Sequence, residues 1–222
     1  MLGIFHAQGS QTAEGSPLAS SYEHGLHFLV GAELAMAVTL AACMTISYGT
    51  AASTYGVSYY GVHFDTLWII AVGFLATSYL LFRSAAAIDR DGAPAMVLLS
   101  LKVLAIGLVA LLVTPYTVDT FFNWTHMIIG TAVFGLQMAV GVVLAFKVLG
   151  DRLGWIGVAI QFAGGVIAAL SLPDHMLNYM LQGEIVFQVG FAVLLNHLFV
   201  STIRRHAAKP GRGGLPRGPV RR

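Results

Sequence analysis

Seven side chains with the chemistry to bind a metal or move a proton sit where long apolar stretches begin or end. They are His63, Asp65, Asp119, His126, Asp174, His175 and Glu184. Three imidazoles and several carboxylates with no cation among them offer the ligand types of zinc, copper or iron. In His63-Phe-Asp65 and in Asp174-His175 a carboxylate stands close enough in sequence to orient the imidazole. The chain has no HExxH, no helical HxxxH and no CxxC, so no spacing singles out one metal. Interfacial residues facing water would have the same composition. Glu23, His24, His27 and His197 form a second polar group, in which His24 and His27 are three apart and share a helix face.

Other polar residues fall inside apolar runs. Glu33, Gln137, Glu184, Gln188 and His197 lie at depths where a charge costs several kcal/mol unless paired or neutralised, so each is a functional candidate. Nucleophilic catalysis has little support. Ser58, Ser171 and Thr125 lie near the outer histidines, but there is no Gly-x-Ser-x-Gly elbow and no Ser-x-x-Lys pair.

The elements that position these groups follow from hydropathy. The chain is 57% hydrophobic and 10% charged, a composition foreign to a soluble domain of this length. Trp124–Phe146 runs 23 residues without a formal charge, enough to cross a hydrocarbon core of about 30 Å. Its His126, Gly130 and Gln137 lie within about 40° on a helical wheel, a small polar face that must meet protein rather than lipid. Six such spans are read at about 26–48, 64–84, 94–114, 124–148, 154–173 and 177–203, each break carrying Gly, Pro or Asp. The fold class is an all-α, polytopic six-helix membrane bundle over 23–203, preceded by a polar segment 1–22 and followed by a disordered basic tail 204–222. The last two spans are joined tightly and should form an antiparallel hairpin.

Six spans place all 12 Lys and Arg on or near one side, whereas loops 49–63, 115–123 and 174–176 have none. The positive-inside rule then makes both termini cytoplasmic, as in a bacterial inner membrane. Tyr55, Tyr59, Tyr60, Trp68, Tyr116, Trp124 and Tyr179 form an outer aromatic belt. In the tail, Arg204, Arg205, Lys209 and Arg212 suit anionic headgroups at about 1 kcal/mol per residue, and nucleic-acid binding need not be invoked. The single cysteine, Cys43, excludes an internal disulfide.

Thr125-His126-Met-Ile-Ile-Gly130-Thr-Ala-Val-Phe134, Trp155 and Leu181-Gln-Gly183-Glu184-Ile carry a resemblance across residues 120–203. They resemble a bacterial six-helix membrane family of unknown function (DUF 998) and, more distantly, the superfamily of DRAM-type and GPI-remodelling accessory proteins. Here Glu184 directly follows Gly183 and no Arg follows it. The resemblance implies six spans with both termini inside and no settled activity.

The leading functional expectation is a non-enzymatic accessory subunit of a membrane complex, or a lipid-binding or lipid-handling factor, with a protein partner or a second copy. One alternative is an outer-face zinc or copper site at His63, His126 and His175 with Asp65, Asp119 or Asp174, serving hydrolysis or transport. Others are a b-type haem electron carrier and a transporter using Glu33 and Glu184 as coupling groups.

Overall fold

The computed structural model describes residues 17–89, 93–172 and 177–207. Every regular element among the described residues is helical, and six helices are long and apolar enough to cross a membrane. Helix α1 spans Pro17–Ile46; a short α2, Thr50–Tyr55, runs into a 3-10 turn at Gly56–Gly61. Helices α3 (Phe64–Asp89) and α4 (Ala95–Val113) follow. Helix α5, Thr120–Val143, continues through a π-helical segment at Leu144–Leu149, and α6 (Arg152–Leu170) and α7 (Met180–Ala207) follow.

Local chemistry sets several of these limits. Pro17 is the first helical residue of α1, where its missing N–H costs nothing. The polar segment expected over 1–22 therefore ends earlier, and 17–22 are helix; residues 1–16 lie outside the described residues. Asp119 caps α5 by accepting from Phe122 N at 2.8 Å, and Asp151 caps α6 by accepting from Gly154 N at 2.9 Å. Between them, Gly150 adopts φ 62° and its N–H donates to Ala145 O, closing the π-helical segment in a left-handed cap. At the C-terminus α7 runs past the expected 203, so Arg204 and Arg205 lie in its last turn rather than in a disordered tail. Cations there complement the carbonyl end of the helix, and Arg205 Nη2 donates to Val148 O at 3.3 Å. Lys209 and Arg212 lie outside the described residues.

The six long helices pack as a ring in chain order: α1 on α3, α3 on α4, α4 on α5, α5 on α6, α6 on α7, and α7 back on α1. The α6–α7 hairpin is the most extensive contact and α5–α6 the sparsest around the ring. Glycine makes the hairpin tight. A Cβ on Gly164 would strike the backbone of Phe187 and Gly183, and one on Gly190 the backbone of Gln161 and Gly157. The outward surface is apolar, with Phe64, Trp68, Val72, Trp124, Phe146 and Phe162 all exposed, as lipid-facing residues should be.

One end of the ring is basic. It gathers the start of α1, the ends of α3, α5 and α7, and the starts of α4 and α6, and Tyr22 of α1 stacks on His206 of α7 there. All described Lys and Arg lie in this half, and Lys102 reaches its edge to meet Asp89 at 3.3 Å. The opposite end is covered by α2 and the 3-10 turn. Loop 49–63, expected as an irregular connection, instead folds over the ring and bonds to α7.

Candidate functional site

Helix α7 carries a polar side chain for almost every neighbour. Near its start, Gln182 accepts from Ser53 Oγ at 2.9 Å and donates to the Tyr48 hydroxyl at 3.1 Å. Ser53 also bonds to the Asn178 carbonyl. Two residues on, Glu184 Oε2 accepts from Val57 N at 2.7 Å. At the middle of the ring Gln188 and Gln137 of α5 exchange amide bonds of 2.9 and 3.2 Å. Further along, Asn196 Nδ2 donates to both carboxylate oxygens of Glu33 at 2.8 Å. Finally His197 Nε2 meets Asp151 Oδ2 at 2.5 Å. A buried polar group away from water is costly unless bonded, and these residues satisfy one another between helices. In hydrocarbon such bonds contribute about 0.6 kcal/mol each on average.

The second polar centre lies at the α2 end. Gly56 adopts φ 70°, ψ −158°, a conformation that only glycine reaches at low cost. A Cβ there would also collide with the Glu184 carboxylate. Gly56 thus starts the 3-10 turn directly against Glu184, and Val57 N–H is held by that carboxylate. The next residue, Ser58, meets His126 Nε2 at 2.7 Å. His126 Nδ1 lies 2.7 Å from the Thr114 carbonyl oxygen. A carbonyl can only accept, so Nδ1 carries a proton. In the neutral imidazole Nε2 is then the acceptor, and the Ser58 hydroxyl donates to it.

Two cavities meet at this point. One of about 380 Å³ occupies the ring interior, lined by α1, α3, α4, α5, α7 and the 3-10 turn. A second of about 620 Å³ lies between α5 and the α6–α7 hairpin, where the ring is most sparsely packed. Ser58, Leu111, Tyr116, His126, Phe134 and Glu184 line both. Both volumes fall within the range of small-molecule sites, about 300–1,000 Å³. Most of the lining is aliphatic or aromatic; Ser58, Tyr116, His126 and Glu184 stand at the α2 end, and Glu33, Gln137 and Gln188 line the interior cavity farther along. Burial raises the Tyr116 phenol above its ordinary pKa and pushes that of Tyr60 up to about 12, so both remain neutral. At the basic end, Asp151 is held below the usual carboxylate range by the Gly154 N–H and then by His197.

Of the residues expected at an outer metal site, His63, Asp65, Asp119 and His126 lie among the described residues. Among the described residues no three His, Cys, Asp or Glu side chains form a metal-binding group. Asp119 is spent on its cap, Asp65 is exposed in the first turn of α3, and exposed His63 packs on the Tyr59 ring with Nδ1 2.7 Å from Tyr59 O. His126 has both nitrogens engaged. Asp174 and His175 lie outside the described residues. His24 and His27 are exposed on α1, and His24 bonds only back to Ser20 O at 2.9 Å. Glu33, expected two turns inside its span, is near the middle of α1 because the helix starts nine residues earlier than the span read from hydropathy, at Pro17 rather than at 26.

Compared with known proteins, the chain matches no family model, no curated protein and no solved structure. The sequence reading missed the pairing of Ser58 with His126, which are 68 positions apart. The available signal was Gly56-Val-Ser58, a glycine two residues ahead of a serine in a loop without charge.

Proposed function

We propose that the protein is a lipid-binding or lipid-handling factor of a bacterial cytoplasmic membrane that holds an amphiphile inside its helix ring. The supporting observation is the joining of two largely apolar cavities at a small polar centre, Ser58, Tyr116, His126 and Glu184, near one end of the bundle. An acyl lipid has the matching division: a chain for the aliphatic walls and a polar linkage for the hydroxyl, imidazole and carboxyl groups. The sparse α5–α6 contact beside the larger cavity is the natural side entrance from the bilayer. The basic end faces the cytoplasm in this reading, because the described cations cluster there.

Lipid extracted from gently purified protein and identified by mass spectrometry tests the binding reading. A defined acyl lipid should copurify at a fixed ratio. Gly135→Phe should reduce it, since Gly135 lines the larger cavity and a Cβ there meets nothing within 4 Å. Lipid content no different from bulk membrane, and unaffected by Gly135→Phe, would refute the reading. Orientation is tested by placing a cysteine at Val118 in a Cys43→Ala background. A membrane-impermeant maleimide should label it from the periplasmic side of intact cells.

A further inference from the structure

We propose that Ser58 and His126 form a nucleophile–base pair that removes an acyl group from an ester-linked lipid seated where the two cavities meet. The proposal rests on the lipid-binding reading and adds a reaction to it. Serine becomes a nucleophile when a base within hydrogen-bond reach takes its proton, and the base works best when a third group fixes its orientation. All three parts are present: Ser58 Oγ, His126 Nε2 at 2.7 Å, and the Thr114 carbonyl 2.7 Å from Nδ1.

Two further observations set Ser58 apart from an ordinary packing serine. Many helix hydroxyls here bond back to their own helix, as Thr39 does to Ala35 O, Thr114 to Ala110 O and Ser171 to Ile167 O. Ser58 instead bonds to an imidazole, on a different helix. It is also presented by a turn whose geometry is specified in detail. Gly56 occupies a glycine-only conformation against Glu184, and the Glu184 carboxylate holds Val57 N at 2.7 Å. Glu184 is thereby a positioning residue for Ser58. Both members of the pair line both cavities, so an ester carbonyl placed at Ser58 would have apolar space on either side.

The reaction balances without a redox partner. Ser58 Oγ adds to the ester carbonyl carbon while its proton passes to His126 Nε2, and the carbonyl electron pair moves to oxygen. Asn123, which lines the larger cavity, carries amide N–H donors of the kind that such an oxyanion requires. Collapse re-forms the carbonyl and breaks the bond to the lipid alcohol, which takes the proton from the imidazolium. Water then adds to the acyl-serine carbonyl, giving a proton to Nε2. The carboxylic acid leaves as Ser58 Oγ recovers that proton.

The test uses full-length protein in nanodiscs, treated with a long-chain alkyl fluorophosphonate carrying a fluorophore, with the labelled residue located by peptide mass spectrometry. Label should appear on Ser58, vanish in Ser58→Ala and form about 10²–10⁴-fold more slowly in His126→Gln. In parallel, a photoreactive acyl lipid is cross-linked to wild type and both variants, and retained cross-linking shows that the variants are folded. No label above the Ser58→Ala background while cross-links map to cavity residues would overturn the catalytic pair and leave lipid binding standing. Label that is indifferent to His126→Gln would also overturn the pair. Label on Ser58 without cavity cross-links would uphold the nucleophile and overturn an acyl lipid as its substrate.

Discussion

Gly183→Ala should loosen the α6–α7 hairpin. A Cβ at position 183 would stand 2.5 Å from Ala168 N, 2.8 Å from Gly164 O and 2.9 Å from Ala168 Cα. All three are backbone atoms, so no rotamer change can relieve the contact. Moving Ala168 N from 2.5 Å to an ordinary 3.4 Å requires the helices to part locally by about 0.9 Å. A gap of that size forfeits a quarter to a half of each affected dispersion contact. Overpacking costs about 1–3 kcal/mol, and backbone obstruction argues for the upper end. The better helix propensity of alanine returns about 1 kcal/mol. The net loss is about 2 kcal/mol, a fall in thermal midpoint of about 4–8 °C for a chain of this size. Gly135→Ala supplies the opposite sign. With nothing within 4 Å of its Cβ, the substitution should raise the midpoint by about 2–4 °C. Intrinsic-fluorescence melting in a mild detergent measures both. Gly164→Ala combined with Gly183→Ala should cost less than the sum of the single changes, because either one already parts the same helices. Equal signs for Gly183→Ala and Gly135→Ala, or strict additivity of the double variant, would refute the close-contact argument.

Glu184→Ala should cost about 1–3 kcal/mol by leaving Val57 N–H buried without its acceptor, whereas Glu184→Gln, which retains an acceptor oxygen, should cost less than half as much. Proteolysis within the 3-10 turn would report the same loss locally. Gln161 is fully buried and neither amide atom has a hydrogen-bond partner among the described residues, so Gln161→Leu should be neutral or raise the thermal midpoint. Asp151 has its pKa lowered in the folded state, so its contribution is complete above the ordinary carboxylate value of about 3.9 and is lost as pH falls through the depressed one. The midpoint advantage of wild type over Asp151→Asn should therefore shrink as pH falls below about 4. A difference that grows below that pH would contradict the assignment.

The long helices were legible because each is a run of about 20 apolar residues ended by Gly, Pro or Asp, and hydropathy alone marks such runs. The hairpin of the last two helices was legible for a related reason, since a short link leaves them little choice but to lie antiparallel. Helix α2 and its 3-10 turn were not, because Thr50–Gly61 has neither a long apolar run nor a charge pattern and is held by contacts to α7. The polar pairs were half visible. Glu33, Gln137, Glu184, Gln188 and His197 stood out as costly at depth, but which group each would pair with did not, because Gln137 finds Gln188 51 positions away and Glu33 finds Asn196 163 away. Ser58 carried no such cost as a loop serine; its place near the outer histidines was legible, but without an elbow motif nothing marked its pairing with His126. For the expected outer cluster the sequence supplies only a shared membrane level, and equal depth fixes one coordinate of three; His63, Asp65, Asp119 and His126 form no metal-binding group among the described residues, and Asp174 and His175 lie outside them.

Chain order around the ring has a consequence for how the protein is made. Each long helix lies beside its predecessor, so an arc can grow step by step as the ribosome delivers it, with local contacts preceding distant ones. One seam waits for α7, which must settle on α6 and close against α1 once it has been made. Until then the future interior is an open trough facing the bilayer, and the groups that α7 contributes to it, Glu184 and Gln188 among them, have not arrived. An acyl chain lying in that trough would be enclosed when α7 arrives, so a first occupant would be acquired at birth without passing any gate.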